Sequence, residues 1–153
     1  MTIENDIAVL ERVAILRRLG TGALRILAIG AESLTVGPGH VLFTAGEVAD
    51  GAYIVQQGSF TLTPERVGEE IIAGPGTLLG ESALLAETKR PATATARENA
   101  TVMRISRAMF LKMLEGYPEA AHRMREVIAA RADQWGREIE NVRAALAPRP
   151  KPP

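Results

Sequence analysis

Between Val36 and about Ile105 the chain cannot travel far in one direction. Turn signals recur at short intervals: GPG at 37–39, AG at 45–46, DG at 50–51, QG at 57–58, TP at 63–64, VGEE at 67–70 and GPG at 74–76. Between them lie short apolar or alternating runs, HVLF, AYIV, SFTLT, EIIA, ATATA and TVMRIS. No run is long enough for a helix of several turns. Closely spaced short strands of this kind must bury one face against another sheet or close on themselves, which predicts an antiparallel, jelly-roll-like β-roll. One stretch departs from the pattern. Ser82, Ala83, Leu84 and Leu85 carry no turn residue and no alternation, and predict one or two helical turns within 80–88.

Both flanks read as helix. Ile3, Ile7, Leu10 and Ala14 recur at three- or four-residue steps over 2–20, with acids near the start. Gly20 and Gly22 interrupt this segment, and ALRILAIGAESLTV predicts a second short helix before the chain turns extended. After the strands, Ser106 is placed to cap RAMFLKMLEGY, and Pro118 to open a further helix of about 29 residues as its first-turn proline. In that last helix Ile128, Trp135 and Val142 step by seven, and Ala132, Ile139 and Leu146 follow each by four. Gly136 in its middle costs about 1 kcal/mol relative to alanine, so the helix needs contacts with its own domain or with a second copy. Both arrangements fit the seam. The expected class is α+β: N-terminal helices, a β-roll over about 36–105 and two C-terminal helices over about 106–147. These make one domain of 1–147, followed by a proline-rich, disordered tail at 148–153.

Composition narrows the function. Of 153 residues, 46% are hydrophobic and 24% charged, with a formal net charge of zero, which suits a soluble domain better than a nucleic-acid binder. The basic positions of the last helix alternate with acids, as on a solvated face. Cysteine is absent, and His40 and His122 are far apart with no carboxylate cluster between them, so no metal site is expected. No apolar run approaches the roughly 18–20 residues of a membrane span. The charged N-terminus has no signal-peptide core. A cytoplasmic protein is expected. No nucleophile elbow, phosphate-loop lysine or catalytic dyad is present, and no enzymatic activity is expected.

The chemistry concentrates in GESALLAETKRPATATA, residues 80–96. A helix starting near Ser82 would present the amides of Ser82 and Ala83 to an anion. Gly80 would allow close backbone approach, and Arg90 carries a guanidinium fork matched to phosphate oxygens. Ala92 and Ala94 leave room beside it. Glu81 would repel a phosphate but accepts well from a ribose hydroxyl. The same two charges, nine positions apart, also fit an exposed ion pair.

This stretch resembles the phosphate-binding cassette of cyclic nucleotide-binding domains, G-E-x-[A/S]-L…R-x-A-T-x-x-A. It is met by Gly80, Glu81, Ser82, Ala83, Leu84, Arg90, Pro91, Ala92, Thr93 and Ala96. Upstream, GHVLFTAGEVADGAYIVQQGSFTL resembles the roll signature of the same family at Gly39, Leu42, Phe43, Gly46, Glu47, Asp50, Tyr53, Val55, Gly58, Phe60 and Leu62. With the flanking helices the resemblance spans nearly the whole chain. It implies that Glu81 accepts the ribose 2′-OH, that Arg90 pairs with the cyclic phosphate, and that the amides of Ser82, Ala83 and Ala92 complete the phosphate shell. Leu79 and Ala73 would lie near sugar or base, and Arg131 or Trp135 would cap the base from the last helix. One position departs from the family. Pro91 stands where a backbone N–H usually reaches the phosphate, and proline has none. It also lacks the hydroxyl that cGMP-selective domains place there, so cAMP is expected ahead of cGMP.

The implied function is a regulatory sensor that binds a small cyclic nucleotide, without nucleic acid or membrane as partner, passing its signal to an unknown effector protein. A homodimer through the C-terminal helix is compatible with it. The alternative is a degenerate, ligand-free domain that acts as an interaction or dimerisation module. A transcription factor is disfavoured, because too few residues follow the long helix for a helix-turn-helix unit.

Overall fold

The computed structural model describes residues 2–126. Three helices come first: α1 (Ile3–Glu11), α2 (Ala14–Arg17) and α3 (Thr21–Gly30). Ten short strands follow: β1 (Glu32–Val36), β2 (Val41–Phe43), β3 (Val48–Ala49), β4 (Gly51–Gln57), β5 (Phe60–Pro64), β6 (Ile71–Ala73), β7 (Leu78–Leu79), β8 (Thr88–Lys89), β9 (Ala92–Ala96) and β10 (Ala100–Ser106). A single 3-10 turn, Glu81–Leu84, lies between β7 and β8, and α4 (Arg107–Gly116) follows β10. The chain is helical again over 118–126.

The strands form two four-stranded sheets, ordered β1-β10-β4-β7 and β2-β9-β5-β6, and a two-stranded ribbon of β3 and β8. Every pairing is antiparallel. This is the α+β, roll-like architecture expected, although the sheets do not close into a barrel.

Two cores explain why both faces of β4 and β10 are apolar. Side chains alternate across a strand. On β4, Ala52 and Ile54 face the helices, and Val55 faces the roll interior; on β10, Met103 and Ile105 face the helices, while Ala100 and Val102 face inward. The helical core adds Leu10, Leu16, Leu24, Leu27, Phe110 and Met113. The roll core adds Phe43, Phe60, Leu79 and Ala94. Full burial of a residue such as Phe60 or Phe110 is worth about 2–3 kcal/mol each. The two strands are thus the wall shared by the roll and the helices.

Two boundaries differ from the sequence expectation. The N-terminal segment is not one helix over 2–20. It breaks at Val13, whose backbone is extended (φ −88°, ψ 113°). Leu10, Val13, Ile15, Leu16 and Leu19 are all buried, and a straight helix has only one apolar stripe. Residues 13 and 15 would sit on nearly opposite sides of it, so the break lets both reach the core. The strands also begin at Glu32, ahead of Val36, because ESLTV pairs with β10 from Glu32↔Arg104 to Val36↔Ala100. Its alternation is masked locally by the preceding helix. Elsewhere the side chain of Ser106 caps α4 by accepting from the Met109 amide at 3.2 Å. The heptad positions of the last helix and the tail at 148–153 lie outside the described residues.

Candidate functional site

The stretch 79–92 leaves the sheet at the end of β7, and its short turn packs against β4. Leu79 sits opposite Tyr53 in the β4–β7 pairing. The chain then turns sharply at Gly80, whose backbone is left-handed (φ 81°, ψ 41°). Only glycine enters that region without strain. The turn Glu81–Leu84 follows, with Glu81, Ala83 and Leu84 buried. Ribbon β3–β8 then returns the chain to Arg90.

Arg90 is held by its backbone and its side chain. Its amide donates to the Glu47 carbonyl at 2.8 Å, and its carbonyl accepts from the Gly46 amide at 2.8 Å. Only 4% of the residue is exposed. The guanidinium carbon lies 4.5 Å from the centroid of the Phe43 ring and 5.5 Å from that of Tyr53. Those two rings stack at 5.9 Å. The chain has only three phenylalanines and two tyrosines, so two of five such rings are committed to this cation. Nη1 is buried without a hydrogen-bond partner, and it lies against the α-carbon of Gly80, where a Cβ would collide with it. Burial pushes the guanidinium below its ordinary pKa, against the opposing fields of Tyr53, Asp50 and Glu47. An arginine so placed nevertheless stays charged near neutral pH.

A buried cation with an unused donor is costly unless something anionic completes it. Asp50, one of the acids whose field acts on Arg90, is drawn elsewhere: Arg104 Nη2 donates to Asp50 Oδ2 at 2.8 Å. Burial lowers the Arg104 pKa, but the charge of Asp50 and hydrogen bonds to Asp50 and Tyr53 outweigh it and leave the group above its ordinary value.

The other sequence-derived positions fall as follows. Ala73 ends β6 and Leu79 ends β7, both buried at the roll interior. Ser82 is half-buried. The Ala83 amide is not left free: it closes the turn on the Gly80 carbonyl at 3.1 Å. A one-turn 3-10 helix uses that donor internally, where the sequence reading had both amides facing outward. Pro91 is exposed, and its carbonyl accepts from the Glu65 amide at 3.4 Å. Ala92 opens β9 opposite Pro64. Arg131 and Trp135 lie outside the described residues. Phe43 and Tyr53 were legible as signature positions, but nothing in their spacing marked them as the bed of Arg90. Among the described residues no cluster of His, Cys, Asp or Glu is suited to a metal ion, and no helix is long and apolar enough to cross a membrane.

The sequence profile of the cyclic nucleotide-binding domain matches residues 33–117, which include both motifs and Arg90 with its surroundings. A solved cyclic nucleotide-binding-like protein from Brucella abortus superposes with a TM-score of 0.64 at 41% identity, covering 72% of this chain and 97% of that one. The cyclic AMP receptor protein of Thermus thermophilus is 28% identical over 106 residues, 67% of this chain and 49% of its own length. A cAMP-dependent protein kinase regulatory subunit from Yarrowia lipolytica is 33% identical over 69% of this chain and 28% of its own length. The chain therefore spans half or less of these two curated relatives. By profile, sequence and fold, the chain belongs to the cyclic nucleotide-binding domain family.

Proposed function

We propose that the protein is a non-enzymatic sensor that binds a cyclic nucleotide at Arg90 and Glu81, with cAMP preferred to cGMP. The supporting observation is the buried Arg90 guanidinium with an unpartnered Nη1 beside a glycine-lined turn. A cyclic phosphate supplies the anion that this donor lacks, and charge-assisted pairing is worth most in so dry a site. Glu81, buried at the start of the turn, accepts from the ribose 2′-OH. Ser82 offers an amide to the phosphate, Leu79 and Ala73 border sugar or base, and Arg131 or Trp135 covers the base. Absence of a hydroxyl at Pro91 favours cAMP. A cytoplasmic location, an effector protein as the receiver and a dimer seam in the C-terminal helix belong to the same reading.

The competing reading is a ligand-free module that assembles through its helices. Two observations favour it: Pro91 has no N–H to offer, and the Ala83 amide is spent within the turn. Thermal unfolding with cAMP or cGMP decides between them. Ligand at about 100 times its dissociation constant adds about 2.7 kcal/mol, or about 5–10 °C for a domain of this size. The gain should be larger for cAMP and absent in Arg90→Ala. No shift with either nucleotide at millimolar concentration refutes the sensor reading.

A further inference from the structure

The sheet β2-β9-β5-β6 turns one face away from the helices. These pack on the other sheet, against Ala52, Ile54, Met103 and Ile105. Phe60, Ala73, Ala94 and Ala96 face the roll interior, so their neighbours Thr61, Ile72 and Thr95 face outward. The pairings Val41↔Thr95, Thr95↔Thr61 and Thr61↔Ile72 set these side chains in one row across all the strands of the sheet. Every member of the row is β-branched, which suits a pleated surface. Its two apolar ends remain in solvent, with Val41 51% and Ile72 58% exposed.

The two edges of this sheet differ. β2 follows Pro38 and is irregular between Val41 and Phe43, and both features blunt an edge. β6 is the other edge. Its pairing with β5 is regular from Phe60↔Ala73 to Leu62↔Ile71. Ile71, Ile72 and Ala73 include no charge and no proline, and no described strand lies beyond them. Ile71 is 61% exposed as well. Such an edge offers backbone donors and acceptors to another strand.

The sequence of β6 suits a copy of itself. A two-fold axis normal to the sheet can set Ile72 opposite Ile72 of a second copy. In that register Ile71 lies opposite Ala73 of the second copy, and Glu70 opposite its Gly74. The acids that precede each strand, Glu69 and Glu70, therefore do not face one another. Paired positions share the same parity, so outer side chains meet outer ones. The row ending at Ile72 then continues without a break into its equivalent. A strand this short stays below the roughly 1,200–2,000 Å² of a stable interface, so the pairing strengthens with concentration.

We infer that β6 is a self-complementary docking edge, through which two copies of the chain join their β2-β9-β5-β6 sheets into one continuous antiparallel sheet. This interface needs neither a nucleotide nor the heptad seam of the C-terminal segment.

Sedimentation equilibrium of the full chain, raised to about 1 mM to reach weak association, tests it. The wild type should associate. Ile72→Lys puts like charges opposite each other at the axis and should weaken that association about tenfold or more. The side chain is exposed, so thermal unfolding of the dilute variant should change little. The chain has no cysteine, and Ile72→Cys therefore gives a single probe. Under mild oxidation it should cross-link about tenfold faster than Val67→Cys, a more exposed control in the same hairpin that the axis holds apart from its equivalent. Association that is undiminished in Ile72→Lys, with no preferential cross-linking at 72, belongs to another surface and overturns the inference. A chain that stays monomeric at the highest concentration overturns it too. Slow hydrogen exchange of the β6 amides in that monomer would assign the edge to residues 127–153 instead.

Discussion

Gly80→Ala tests the site at its tightest point. Two costs are superimposed there. The backbone at Gly80 has φ +81°, which is worth about 1–2 kcal/mol against any residue with a Cβ. The added methyl also lands on Nη1 of Arg90, a side chain that cannot swing freely because it lies between Gly80 and the rings of Phe43 and Tyr53. Overpacking of this kind costs about 1–3 kcal/mol. The total is about 2–5 kcal/mol. Gly39 supplies the control, since it has φ +80° with no atom within 4 Å of a built Cβ. Gly39→Ala should therefore cost only the backbone part, about 1–2 kcal/mol. Urea titrations of both variants at constant slope give the two losses, and their difference isolates the collision. Calorimetric titration with cAMP should show binding lost in Gly80→Ala and kept in Gly39→Ala. Equal stability losses with cAMP affinity retained in both would refute the packing of Arg90 against the turn.

Pro91→Ala restores a backbone N–H beside Arg90 and should tighten cAMP about tenfold by calorimetry, at up to about 1 kcal/mol of stability through the freer unfolded chain. Phe43→Leu removes the ring beneath Arg90 and its stack on Tyr53. It should cost about 2–3 kcal/mol in urea and weaken cAMP binding, and unchanged affinity would show that the rings do not hold the cation in place. Ser106→Ala deletes the cap on α4 and should cost about 1 kcal/mol in thermal unfolding. Arg104→Met breaks the pair with Asp50. Because Asp50 has 68% of its side chain exposed, the loss should be only about 0–1 kcal/mol and should shrink with added salt.

Much of this protein could be read from residue order alone. Turn residues at short intervals forbid long elements, so a roll of short antiparallel strands follows for local reasons. Ser106 reveals a helix start because capping is a contact between near neighbours. The cassette was legible because Gly80, Glu81 and Arg90 are separated by a fixed, short spacing that a motif can carry. What the order of residues could not decide are matters of distance between remote segments. Phe43, Tyr53 and Arg90 meet only because β2, β4 and the β3–β8 ribbon converge. The capture of Asp50 by Arg104 likewise joins parts of the chain that no period relates. The break at Val13 and the early start of β1 also needed the tertiary fold, because burial against β4 and β10 overrode what the local pattern favoured. Whether the Ala83 amide points outward or closes its own turn was settled by the tightness of a single 3-10 turn, a backbone detail that side-chain identity does not encode.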